Sequence, residues 1–379
     1  MHPDFELDPG LVYLNHAGVA PWPRATRLAV EAFAAQAARR GGADYPRWLA
    51  VEARLRARLA RLVGAESADC IALVKNTSEA LSIVAGGLDW QTGDNVVYAA
   101  EEFPSNRIVW EALAARGVEP RCVPLQGAAD PEGALLAACD RRTRLLAVSS
   151  VQYASGLRMD LERLGQACRA RGVLFCVDAI QSLGALPFDA RAVHADFVAA
   201  DGHKWLLAPE GLGLFYCRST LLERLAPLSY GWHMVAEAGD FERRDWRPAP
   251  DARRFECGSP NLLGVHALDA STALLEAHGL QRIARAVEAN VQTLIDALGE
   301  LPGTRWHTPL EPARRAGILT VSWPQADSRR LHAALDEAGI LCALRGGGLR
   351  FSPHYHNDAA ADAARLCEAL ARAGLAKRV

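Results

Sequence analysis

Lysine is nearly absent: of 42 lysines and arginines only Lys75, Lys204 and Lys377 are lysine, so arginine serves wherever a generic cation is needed. A guanidinium stays protonated and cannot condense with an aldehyde, whereas a lysine amine can be tuned and can form a Schiff base. A lysine kept against this bias is a candidate for chemistry that needs an amine. Long apolar runs are missing as well. No stretch approaches the roughly 20 uncharged residues that span a bilayer, and the start, Met1 to Asp8, is acidic where a signal peptide is basic. No membrane partner is expected, and the expected compartment is the cytoplasm. Neither sign of charge dominates, with a formal net charge of −2, so nothing draws in phosphate backbones and no nucleic acid partner is expected. The nine cysteines contain no CxxC pair, which argues against a zinc site and against a secreted disulfide framework; no metal is expected.

What is present is a chain of 379 residues, half of them hydrophobic, enough for one large domain and a smaller one. After an arm with Pro21 and Pro23, helical apolar spacing over 28–38 and 48–62 predicts two amphipathic helices. From residue 70 to about 217 short apolar runs alternate with helical segments. Residues 71–74, 96–99, 145–149, 174–177, 197–200 and 212–216 read as strands. Such alternation predicts an α/β fold, a mostly parallel sheet with helices on both faces, followed by helix over 262–298 and a small C-terminal α+β domain. Its strands are expected near 318–322 and 349–352. The expected units are an arm over 1–17, a large domain over 18–260, connecting helices over 261–301 and a small domain over 302–379.

Ligands of such sheets bind past the carboxyl ends of the strands, and the sharp features of this sequence fall there. Asn76-Thr77-Ser78 opens a helix after the first strand, where hydroxyls and free amides can cradle a phosphate. The plain alternative is a helix cap by Thr77 or Ser78. Asp178 ends the fourth strand, and a carboxylate buried there needs a cation, such as a protonated pyridine nitrogen, a salt-bridging arginine or a helix start. Lys204 follows the next strand in Asp201-Gly202-His203-Lys204-Trp205, between apolar segments that a surface lysine would not choose. Phosphate anchor, acid and amine together point to pyridoxal 5′-phosphate (PLP).

The chain resembles the class V aminotransferase family of fold-type I PLP-dependent enzymes, whose members include cysteine desulfurases and kynureninase-like and epimerase-like enzymes. The resemblance rests on Tyr13 to Gly18, Asn76 to Ala80, Glu101 to Asn106, Val177 to Gly184, Gly202-His203-Lys204, Phe255 to Pro260 and Leu349 to Ser352. It implies that Lys204 is catalytic and carries the cofactor as a Schiff base, that Asp178 pairs with the pyridine nitrogen and that Gln181 bonds the phenolic oxygen. Thr77, Ser78 and His203 would hold the phosphate, joined by Ser259 from the neighbouring subunit, which implies a homodimer with shared active sites. Asn15 and Arg350 would bind a small amino acid, Arg350 through its carboxylate.

Two departures bear on the reaction. Desulfurases place a histidine over the cofactor ring, but the matching residue is Phe103, which can stack and cannot carry protons. They also carry a nucleophilic cysteine before the carboxylate-binding arginine, where this chain has only Arg345-Gly346-Gly347-Gly348-Leu349. Cys342, inside an apolar run, reads as a core thiol. On these grounds transamination is expected first, carbon–sulfur or carbon–carbon lyase chemistry second and epimerisation third, with a non-catalytic binding subunit as the other class of reading. His354 and His356 are expected to bond locally, and Tyr230 to His233 with Trp246 to line either the substrate pocket or a subunit interface.

Overall fold

The computed structural model describes residues 2–375, so Lys377 lies outside the described residues. At its centre is a seven-stranded sheet of β1 (Ile71–Val74), β2 (Asn95–Ala99), β3 (Glu119–Val123), β4 (Thr143–Ser149), β5 (Leu174–Asp178), β6 (Phe197–Asp201) and β7 (Gly213–Cys217). The spatial order is β1-β7-β6-β5-β4-β2-β3. Only β7 runs antiparallel to its neighbours. This is the mixed α/β, mostly parallel architecture of fold-type I. Strand β3 is the one the sequence pattern hides: Glu119-Pro120-Arg121-Cys122-Val123 lies at the sheet edge with half-exposed side chains, and an edge is where a strand tolerates proline.

Successive residues of a strand face opposite sides of the sheet. In β2, β4, β5 and β6 both sets are apolar and buried. Val97, Leu146, Phe175 and Val198 enter the core on one face, and Val96, Leu145, Cys176 and Phe197 the core on the other. Two-sided burial is why these strands read as unbroken apolar runs. The helical stretch expected over 262–298 is two helices, Leu262–His278 and Leu280–Gly299, broken at Gly279, whose φ of 81° lies in the left-handed region that glycine enters without strain.

The C-terminal part holds a four-stranded antiparallel sheet in the order Ala343–Arg345, Gly348–Phe351, Leu319–Ser322 and Arg305–Trp306. The N-terminal arm joins this part: Val12–Tyr13 pairs parallel with Ile340–Leu341, and Asn15 bridges Ser352. One apolar cluster containing Leu14, Leu294, Phe351 and Leu366 seals the junction. Among the described residues no helix is long and apolar enough to cross a membrane.

Candidate active site

The carboxyl ends of β1, β2, β4, β5 and β6 open onto a cavity of about 370 Å³, closed from above by the arm and by the hairpin that carries Arg345 and Arg350. At the end of β1 the helix Thr77–Gly87 is capped by Asn76, whose Oδ1 accepts from Glu79 N at 2.9 Å. That cap leaves the next two hydroxyls for other work. Thr77 Oγ1 is buried with no partner, and Ser78 Oγ donates to Ser105 Oγ at 2.7 Å. Nor does Thr77 or Ser78 supply the cap, so the plain alternative for these two falls away.

Lys204 is 8% exposed, whereas the Lys75 side chain is 75% exposed and sits 3.7 Å from Glu79. Burial lowers the Lys204 amine from the usual lysine range, and Arg350 and Arg345 add to that effect. An amine that sheds its proton more easily is a better nucleophile toward a carbonyl. Asp178 is buried at the end of β5 and accepts from Ile180 N at 3.0 Å; among the described residues no arginine pairs with it. Burial pushes its carboxyl up, and the nearby Lys204 amine offsets only part of that rise. The loop after Asp178 packs directly on the loop after β6: a Cβ on Gly184, at φ 98°, would lie 2.1 Å from the Trp205 carbonyl oxygen. Between these loops Gln181 is fixed at both ends of its amide, receiving Trp205 Nε1 at 2.9 Å and donating to Ala17 O at 3.1 Å. His203 lines the same cavity, with its Nδ1 buried 3.2 Å from Asp201 Oδ1.

On the opposite wall the Phe103 ring lies 5.5 Å from Lys204 Nζ and meets the Tyr153 ring edge-on at 5.2 Å. Arg350 is 2% exposed. Its Nη1 donates to Tyr153 O at 2.8 Å, its Nη2 reaches Asn15 Oδ1 at 3.4 Å, and its Nε has no partner. Burial and the neighbouring Arg345 push the Arg350 guanidinium down to about 10. A buried cation beside a second cation, with no carboxylate partner, is stabilised by an anion entering the cavity.

Eight residues singled out in the sequence therefore line this cavity, Thr77, Ser78, Phe103, Asp178, Gln181, His203, Lys204 and Arg350, and Asn15 reaches it only through Arg350. Ser259 does not; it is exposed and off this chain's cavity. Tyr230, Trp232 and Trp246 line a separate surface pocket and no part of this one. His354 and His356 bond across the chain as well as locally. His356 Nε2 lies 2.9 Å from His16 Nε2 and His354 Nε2 lies 3.3 Å from Trp205 O, because the arm and the residues after Lys204 fold over them.

Sequence reasoning missed Tyr153 and Glu102. Glu102 is a buried carboxylate that receives Ser149 N at 2.7 Å, Gln152 Nε2 at 2.8 Å and Asn106 Nδ2 at 2.9 Å, so it sets the course of the loop that delivers Tyr153. The signal was available: Ser150 to Tyr153 follow β4 just as Lys204 follows β6.

The sequence profile described as aminotransferase class-V matches residues 12–376. A probable cysteine desulfurase of Methanothermobacter thermautotrophicus is 34% identical over 371 residues, covering 91% of this chain and 90% of that protein. A cysteine desulfurase of Klebsiella pneumoniae is 32% identical over 302 residues, covering 77% and 71%. Among solved structures, the cysteine desulfurase CsdA of Escherichia coli superposes with a TM-score of 0.86 at 26% identity over 97% of this chain and 95% of that one. The cystine C–S lyase C-DES, solved with its product cysteine persulfide, shares the fold with a TM-score of 0.88 at 24% identity over 96% and 97%.

Proposed function

The chain belongs to the class V aminotransferase family and is a PLP-dependent enzyme, and from that premise we propose that it cleaves the carbon–sulfur bond of a small amino acid of the cysteine class, releasing the sulfur without passing it to a thiol of its own. The desulfurase relatives favour this lyase reading over transamination, the reaction placed first on sequence grounds. One observation carries the direct release: no cysteine lines the cavity, and Gly346 and Gly347 fill the tight turn before Arg350. Cys342 is buried and does not line the cavity, with its thiol pushed up to about 12 by desolvation, and a thiol that stays protonated is a poor sulfur acceptor.

The residues lining the cavity fit PLP, and Thr77 Oγ1 is buried there without a partner. Thr77 and Ser78 at the helix start, with His203, would hold the phosphate, and Ser259 of a second copy in a homodimer would complete the cradle. Asp178, raised by burial and paired with no arginine among the described residues, would face the ring nitrogen. Gln181 would bond the phenolic oxygen, Phe103 would stack on the ring, and Lys204 would carry the aldehyde carbon. When bound, PLP draws electrons from the substrate Cα and weakens the bonds around it. Arg350 and Asn15 bind the substrate carboxylate and fix which Cα bond stands toward the cavity floor. Lys204 Nζ takes the Cα proton, since Phe103 has none to exchange. The sulfur leaves Cβ with the electron pair of the broken bond, and cysteine plus water yields sulfide, pyruvate and ammonia.

Incubation of the holoenzyme with cysteine tests this. Sulfide and pyruvate should appear in equal amounts, no protein-bound persulfide should be found by mass spectrometry, and Cys342→Ser should leave turnover nearly unchanged. A keto acid formed with pyridoxamine phosphate and no sulfide would restore transamination, and a persulfide on Cys342 would overturn direct release.

A further inference from the structure

At the other end of the large sheet, where β4, β5 and β6 begin, a second cavity of about 450 Å³ opens, within the range of small-molecule sites. Its wall carries Arg144, Arg169, Arg191, Arg218, Arg224 and His194. Only two acids, Glu66 and Asp196, line it, and both are engaged. Asp196 Oδ1 pairs with Arg218 Nη2 at 2.9 Å while Oδ2 accepts from Phe175 N at 2.8 Å, and Glu66 Oε2 accepts from the Tyr216 hydroxyl at 3.0 Å. Five guanidiniums face two lining carboxylates, and Arg191 has a third acid, Asp189, at 3.8 Å, so cations still outnumber acids on one concave wall.

Elsewhere this chain pairs such arginines closely, as in Arg163 with Asp130 at 2.6 Å and Arg314 with Glu132 at 2.8 Å. Arg144 and Arg224 have no carboxylate within pairing distance among the described residues, and the Nε atoms of Arg144 and Arg218 are buried with no partner. His194 adds a donor: Arg169 Nη1 lies 3.2 Å from its Nδ1, and since a guanidinium only donates, the neutral ring carries its proton on Nε2. Its backbone holds φ 54°, a left-handed conformation that costs a non-glycine residue energy and that sets the ring beside Arg169. Like charges held in a cleft, with buried donors unmet, fit a multiply charged oxyanion, which guanidinium forks bind in pairs of hydrogen bonds.

We propose that this cavity binds a small, multiply charged oxyanion, a phosphorylated or polycarboxylic metabolite, with Arg144 and Arg224 as its anchors. It is distinct from the cofactor cavity. Leu174 and Asp196 lie in one and Asp178 and Asp201 in the other, at opposite ends of β5 and β6, about 13 to 17 Å apart at the strand rise.

The test uses PLP-loaded enzyme, so that the cofactor's own phosphate cradle is filled, titrated calorimetrically with inorganic pyrophosphate and separately with citrate. At least one should bind, and the double variant Arg144→Gln/Arg224→Gln should weaken it by about tenfold or more at unchanged cofactor absorbance. Binding of pyrophosphate alone identifies the phosphate source, binding of citrate alone the carboxylate source, and binding of both the shared oxyanion chemistry. If the double variant melts early, Arg224→Gln at its exposed position replaces it and should weaken binding in the same direction. No heat with either anion, or equal affinity in the variants, overturns the proposal.

Discussion

The proposed cofactor side and the proposed substrate side of the site are built in different ways. On the cofactor side Thr77, Asp178 and Lys204 each sit within three residues of the end of a buried parallel strand, so a few local residues place each group. On the substrate side Asn15 meets Arg350 across 335 positions, and His16 meets Ser352 across 336. The sheet fixes the first set through its own hydrogen-bond ladder. The second depends on the arm docking onto the C-terminal sheet, and its charge balance is left open until an anion arrives.

The sharpest way to break this division is Lys204→Ala. Activity should fall by roughly a thousandfold or more, because proton transfer and cofactor attachment are lost together, and borohydride should no longer fix PLP to the protein. Label appearing on Lys75 instead would show that the buried amine was misassigned. Arg350→Lys should act on the substrate side alone, lowering kcat/KM by roughly 10 to 1,000-fold, since a bidentate charged contact is worth about 1.5 to 4 kcal/mol. The cofactor spectrum should stay as it is, and an amine without a carboxylate should be turned over equally by both proteins. A change in PLP binding would mean that the two sides are not separable.

The smallest effect concerns acid. His16 is fully buried, bonds the Ser352 carbonyl oxygen at 2.9 Å and faces His356, and desolvation lowers it to about 4 from 6.5. A histidine lowered in the folded state contributes stability above pH 6.5 and loses it as pH falls toward 4. Between pH 7.5 and 5 that is about 2 kcal/mol from this one group. The melting temperature should therefore drop over that interval, and His16→Gln should drop less. Parallel melting curves for the two proteins would place the acid sensitivity elsewhere.

The same division decided what could be read from the sequence. Lys204 stood out because lysine is scarce and apolar residues flank it, and the loops after β1, β5 and β6 were visible because a strand end is a local pattern. Arg350 was reachable only through family resemblance, since 39 arginines hide it. Tyr153 escaped because Glu102, 47 residues before Ser149 and in a different loop, sets its position. The packing of Trp205 on His354 and His16 escaped for the same reason: no periodicity links positions so far apart. Transamination was placed first on sequence grounds, and the desulfurase relatives support the lyase alternative better.

The pairing of the arm with Ile340–Leu341 also dictates when this enzyme becomes competent during its synthesis. The large sheet is complete once residue 217 has left the ribosome, and an N-terminal unit folds as it emerges. Strand Val12–Tyr13 is made among the first residues, yet its partner is made about 330 residues later. At a synthesis rate of about 5 to 20 residues per second, the arm waits on the order of tens of seconds without a partner. A half-made chain can thus present Lys204 before Arg350 exists, so on the proposed roles of these residues the reaction is withheld until the Gly348–Phe351 strand arrives.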